Sequence, residues 1–257
     1  MINHYQELDD ILSSCQEARK YALENAEHFA NLPSDRTVYS TPASFFMGIH
    51  TPTLLLKIGY SNSFVKGRKL KSPNDRSEYM SYEYDKQGNL IRISFHQPSY
   101  TSFSCIFPLN GFQWFVPVEK YKDRYIEHYK AEIVRYDDQG RVAIFAMIDT
   151  AQIWLEKYTY FEDDPNKVIC EQWNYIPKLS HSDKSKSISE TGSPASLWIY
   201  QLDLGNPKKI TGELIESYTK DVSAYRAKPP QLPAPQVVYK KNPWTAARIH
   251  AVCNTIY

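Results

Sequence analysis

The sequence predicts a mainly β protein of the α+β type, in which an antiparallel meander sheet of repeated hairpins is flanked by a long N-terminal helix and a short C-terminal helix. Three features carry that expectation. The stretch Tyr84-Asp85-Lys86-Gln87-Gly88-Asn89-Leu90 returns as Tyr136-Asp137-Asp138-Gln139-Gly140-Arg141-Val142, and each copy lies between two runs of aromatic and β-branched residues. Tyr is used 20 times and Gly only 9 times in 257 residues, a balance that favours sheet over loop. Residues 3 to 31, by contrast, place apolar side chains at spacings of three and four, as a helix requires.

That N-terminal stripe consists of Tyr5, Leu8, Leu12, Cys15, Ala22, Ala26 and Phe29, with Leu23 beside it, opposite a face lined by Glu7, Asp10, Glu17, Lys20 and Glu24. Asn3 suits the N-cap with Gln6 reaching back to it, and Leu32-Pro33 stops the helix. The stripe is expected to pack on a sheet. A homodimeric coiled coil fits less well, because the polar Arg19 interrupts the seam.

From Val38 onward short apolar and aromatic runs alternate with turn residues. Strands are expected at about 52–60, 63–70, 78–85, 89–96, 101–107, 112–118, 129–137, 141–148, 152–161, 167–176, 196–203 and 208–218. In the repeated turns the Asp carboxylate can accept the backbone N–H two residues on, and the Gly supplies the left-handed conformation that closes the hairpin. Two degenerate copies extend the series, one around Asp163-Asp164-Pro165-Asn166 and one around Asp203-Leu204-Gly205-Asn206. Consecutive hairpins make a meander, so neighbours in sequence become neighbours in the sheet. Residues 213–226 fit either a helical face or a continued strand.

One domain is expected over residues 1–257: the helix at 1–32, the meander at 38–220, and a strap with a final helix at 228–257. Within the meander, Lys178 to Ser193 is rich in Ser, Lys and Asp and is expected to be a mobile excursion, since so little apolar area cannot offset the entropy of ordering. Pro229, Pro230, Pro233 and Pro235 form a stiff extended strap. After it, Asn242-Pro243 can start a short helix with Trp244, Ala247, Ala251 and Val252 on one face.

Composition removes several classes of function. Thirty basic against 29 acidic side chains leave a net charge of +1, so no long-range field draws the chain to nucleic acid or to an anionic membrane. The basic residues between Lys57 and Lys71 read as a solvated hairpin face. Cys15, Cys105, Cys170 and Cys253 contain no C-x-x-C pair, which suits reduced, buried thiols better than a zinc site or a disulfide framework. The acidic start, with Glu7, Asp9 and Asp10, and the lack of a long apolar run point to a cytoplasmic chain that neither carries a signal peptide nor spans a membrane.

Catalytic constellations are equally sparse. There is no G-x-S-x-G, and Gly59-Tyr60-Ser61-Asn62-Ser63 lacks its closing glycine. The seven histidines contain no i,i+4 pair, so no metal site is expected, and a strand histidine such as His96 or His128 reads as a satisfied, half-buried side chain. Asp137-Asp138 and Glu162-Asp163-Asp164 are explained as turn residues rather than calcium ligands. No phosphate-binding glycine loop occurs, no cofactor is expected, and enzymatic function is disfavoured. The richest aromatic stretch is Phe107 to Pro117, where alternation sets Phe112, Trp114 and Val116 on one face and Gln113 with Phe115 on the other. Such a stretch serves as a hot spot if exposed and as core if buried.

The Tyr-Asp-x-x-Gly copies at residues 84–90 and 136–142 resemble the tyrosine-aspartate repeats of Rhs-type bacterial proteins. Similar hairpins occur in immunity-like proteins encoded beside toxins. The resemblance implies strand-turn-strand ribbons and transfers no catalytic residue. With it, the leading expectation is a non-catalytic protein that binds another protein, in its most specific form a toxin, through Phe112, Trp114, Phe115, Trp154, Trp173 and Tyr175. The alternative is a small-molecule or carbohydrate binder, or a hydrolase, using an aromatic-lined sheet face. One deep pocket with convergent polar groups discriminates in favour of the second, a broad flat face in favour of the first.

Overall fold

The computed structural model describes residues 7–42, 69–73, 77–128, 130–148, 153–175, 194–203, 205, 209–219 and 236–240. The expected strand at 52–60, most of that at 63–70, the excursion at 178–193, the proline strap up to Pro235 and the C-terminal helix lie outside these residues. The described chain begins with α1 (Glu7–Glu24) and α2 (Ala26–Ala30). The single expected helix is thus two pieces, broken at Asn25, whose backbone has φ −107° and ψ 13°. There the Asn25 side-chain amide donates to the Tyr21 carbonyl at 2.9 Å, the local competition that makes Asn a poor interior helix residue.

Fourteen strands follow in one antiparallel sheet. They are β1 (Arg36–Ser40), β2 (Lys69–Leu70), β3 (Tyr79–Tyr84), β4 (Leu90–His96), β5 (Thr101–Leu109), β6 (Phe112–Tyr121) and β7 (Arg124–Glu127). The second half contains β8 (Ala131–Tyr136), β9 (Val142–Ile148), β10 (Ile153–Tyr160), β11 (Lys167–Tyr175), β12 (Pro194–Asp203), β13 (Lys209–Thr219) and β14 (Gln236–Lys240). From β3 to β6 and from β8 to β14 each strand pairs with the next in sequence, which is the expected meander. One edge of β6 is shared, Val118–Tyr121 with β7 and Gln113–Phe115 with β8. The strands β1, β7 and β14 were not foreseen. The ambiguous segment after residue 213 continues as strand to Thr219.

The two repeated turns are chemically the same. Asp85 and Asp137 each accept the backbone N–H four residues on, Asn89 and Arg141, at 2.8 Å through Oδ1. The second carboxylate oxygen accepts from the side chain of that same residue, the Asn89 amide at 3.0 Å and the Arg141 guanidinium at 2.7 Å. Gly88 and Gly140 close the turns with φ of 85° and 72°. Beyond the turn itself both hairpins carry a one-residue register shift: Tyr84 pairs with Leu90 but Glu83 with Arg92, and Tyr136 with Val142 but Arg135 with Ile144. The degenerate copies keep the aspartate chemistry: Asp164 accepts from Asn166 N at 3.1 Å and Asp203 from Gly205 N at 2.8 Å.

Alternation then gives the sheet two faces, and both are interior. The first buries Phe103, Cys105, Phe107, Phe112, Trp114 and Val116 against Leu8, Ile11, Cys15, Ala18, Ala22, Ala26 and Phe29 of the helices. Ile11 and Ala18 complete the expected stripe, while Leu12 lies at its margin. Arg19 fastens the helix to the sheet side, pairing with Glu127 at 2.6 Å and donating to the His128 carbonyl. Arg92 on β4 does the same at the helix end, donating to the carbonyls of Phe29 and Ala30 at 2.5 Å while pairing with Glu83. The second face carries its own core, from Met80 and Tyr82 on β3 to Trp198, Tyr200 and Leu202 on β12.

The turn chemistry predicts a graded response at Gly88, where a new Cβ meets nothing within 4 Å and only the backbone conformation is at stake. Gly88→Val should cost about 1 to 3 kcal/mol, and Gly88→Asn clearly less, because Asn tolerates positive φ. Urea denaturation measures both. Equal costs for the two variants would contradict the turn.

Candidate functional site

The second face holds the chemistry. Along β10 the side chains of Trp154, Glu156 and Tyr158 project to it in succession. The register sets Phe145 of β9 and Gln172 of β11 on either side of Glu156, with Trp198 of β12 beyond Gln172. One step along, Asn174 lies opposite Trp154; one step the other way, Cys170 lies opposite Tyr158 and next to Tyr200. A carboxylate therefore occupies the centre of a grid of aromatic and amide side chains.

Glu156 is 0% exposed. Its Oε1 accepts from the Trp154 indole N–H at 2.7 Å and its Oε2 from the Tyr158 hydroxyl at 2.5 Å. Burial pushes its carboxyl up to about 7, against the pull of those two donors. The same burial raises the Tyr158 hydroxyl and the Cys170 thiol well above their ordinary ranges, so both stay neutral. Among the described residues, Gln172 Nε2, Asn174 Oδ1 and Trp198 Nε1 are buried without a hydrogen-bond partner. Gln172 lies directly across from Glu156 yet does not donate to it.

Glu132 on β8 shares this face, opposite Phe115 and Met147. It is half-buried, and its surroundings push its carboxyl up to about 7, with Lys130 acting the other way. Two strand steps and a two-residue offset separate Glu132 from Glu156 by about 12 Å at the backbone. They are too far apart for one shared proton to govern both.

The six aromatic residues expected to meet a partner divide between the faces. Phe112, Trp114, Trp173 and Tyr175 belong to the helix-side core, with the last two stacked at 6.1 Å, and Phe115 and Trp154 belong to the second face. None exceeds 8% exposure. They are core, and the Trp114 indole N–H is spent on the Leu109 carbonyl. Of the six, only Trp154 touches the polar cluster. The cluster's remaining members were not foreseen, because a Glu or Gln inside a strand reads as a solvent-facing residue.

Other polar groups have structural explanations. His96 is half-buried, stacks on Tyr79 at 4.3 Å, and lies 2.9 Å from the Ser81 hydroxyl. Burial lowers its pKa, which keeps it neutral. The contact has the distance of a nucleophile and its base. Ser81, however, sits buried in mid-strand, and the nearby Glu83 is engaged by Arg92 instead of orienting the histidine. Cys15 and Cys105 are buried thiols pushed up to about 11 and about 12, which leaves them unreactive at neutral pH. Among the described residues no group of three or more His, Cys, Asp or Glu is placed to hold a metal ion, and no helix is long and apolar enough to cross a membrane. No protein-family model matches the chain, and no curated protein or solved structure matches it.

The raised carboxyl of Glu156 makes stability pH-dependent. The folded chain holds this proton to about pH 7, whereas an unfolded glutamate releases it near about 4.3. Its stabilising contribution is therefore complete at low pH and is lost as pH rises through 7. The loss is on the order of 3 kcal/mol. Glu156→Gln should abolish that part of the slope in urea titrations between pH 5 and 8. The difference between the two proteins isolates Glu156, since Glu132, with a slope of the same sign, and neutral His96, with one of opposite sign, contribute equally to both. An unchanged slope in the variant would contradict the assignment.

Proposed function

We propose that the protein binds a small polar molecule on the second face of its sheet, at a site centred on Glu156. The observation that carries this reading is the pair of buried donors beside that carboxylate, Gln172 Nε2 at a residue 2% exposed and Trp198 Nε1 at a residue 5% exposed, neither with a partner among the described residues. A buried N–H left unmet costs about 1 to 3 kcal/mol, so such groups persist where they serve an incoming acceptor. Trp154, Tyr158, Trp198 and Tyr200 supply ring surface around them. Hydroxyl-bearing ligands of the sugar type combine acceptor oxygens with an apolar face and match both features.

This reading takes up the binding alternative rather than the protein-partner expectation. A toxin or other protein would need exposed aromatic area that Phe112, Trp114, Phe115, Trp154, Trp173 and Tyr175 do not offer. It would have to use scattered positions such as Tyr121, Ile126 and Ile215.

If Gln172 is kept for a ligand, the nearly isosteric Gln172→Met should leave the free protein as stable as before or more stable. A monosaccharide panel should raise the melting temperature of the wild type saturably and that of the variant less. A loss of more than about 2 kcal/mol in the free variant would mean that the amide has a structural partner, and the binding assignment would fall.

A further inference from the structure

Resting on the binding reading above, we infer that the ligand is a cation, an amine or quaternary ammonium that also carries an acceptor oxygen, with its positive charge set against Glu156 among Trp154, Tyr158, Trp198 and Tyr200. The central observation is a carboxylate buried without a countercharge. Glu156 has two partners, the Trp154 indole and the Tyr158 hydroxyl, and both are neutral. No Lys, Arg or His pairs with it among the described residues.

Among the described residues the groups around it offer no substitute cation. Phe145 flanks it from β9, Gln172 and Cys170 from β11, and Trp198 and Tyr200 from β12. Glu132 on β8 adds further acidity, and the nearby Lys130 acts on Glu132. A carboxylate sealed in such surroundings either keeps a proton or meets a cation. Aromatic rings favour the second outcome, because their faces are electron-rich and attract ammonium groups. The unmet donors Gln172 Nε2 and Trp198 Nε1 sit one and two strands away on the same face and can hold an oxygen of the same molecule. Amino alcohols and amino sugars have that combination within one small framework.

Protonation follows from this arrangement. In the free protein Glu156 holds its proton near neutrality, and a bound ammonium displaces it, so binding releases a proton. Affinity for the cation should therefore rise with pH and level off above about 7, falling about tenfold for each unit below that point. A neutral ligand would show no such dependence.

Calorimetric titration of the full chain with matched pairs tests the inference: choline against 3,3-dimethyl-1-butanol, and glucosamine against glucose. The expected result is at least tenfold tighter binding of choline than of its neutral analogue at pH 8, a preference that shrinks towards pH 6; for glucosamine, whose amine loses its proton close to pH 8, the comparison with glucose is made at pH 7. Glu156→Gln should abolish the preference, while Glu156→Asp, which keeps the charge, should retain part of it. Near-UV circular dichroism checks that both variants fold. Equal binding of charged and neutral members, or a preference that survives in Glu156→Gln, would overturn the cation while leaving the binding site intact. No binding by any of the four would overturn both.

Discussion

The carboxylates of Asp85 and Asp137 bind backbone and side chain four residues ahead, and in doing so they set where each strand begins its return. Side chains in a strand alternate between faces with a period of two, so a slip of one residue would carry every side chain to the opposite side. Here such a slip would turn Trp154, Glu156 and Tyr158 towards the helices and bring Leu155 with Ile153 to the other face. Register is thus the constraint on which both cores depend. The bulge before each aspartate reinforces it, because it recurs at Tyr84 and at Tyr136.

Both faces of the sheet are interior, but they are built differently. The helix face is almost wholly apolar at its centre, and its polar contacts lie at the margins. Arg19 reaches Glu127 there, Asn110 reaches Ser14, and Arg92 reaches the end of α2. These contacts tie distant parts of the chain. The second face places Glu156 and Gln172 at its centre and, among the described residues, leaves buried donors unmet. A fold optimised for stability alone would fill those positions with apolar side chains. On the proposed reading they are retained for a ligand that completes their hydrogen bonds.

Much of this architecture was legible. The strands from residue 79 to residue 219 follow from alternation, and the Asp-x-x-Gly turns predict the hairpins and the positive φ of their glycines. The short strand at Arg124–Glu127 was not legible, because its two apolar residues, Tyr125 and Ile126, are adjacent and carry no alternation. The helix break at Asn25 was hidden for a related reason, since the apolar stripe runs through it without a change of spacing. The polar cluster was the hardest feature to see. One signal did exist: residues 153–160 are apolar on both parities, Ile153 and Leu155 on one and Trp154 and Tyr158 on the other. That pattern marks a strand covered on both sides. It makes the lone acidic residue between Trp154 and Tyr158 a buried one.

Among the described residues the second face encloses the Glu156 carboxyl group without a countercharge. Carbon-13 NMR of protein labelled at the glutamate carboxyl reads this directly, with Glu156→Gln identifying the resonance. The Glu156 signal should titrate near pH 7, well apart from the exposed glutamates. A Glu156 signal that titrates between pH 4 and 5 with the rest would show the side chain to be solvated or paired, and would contradict the account.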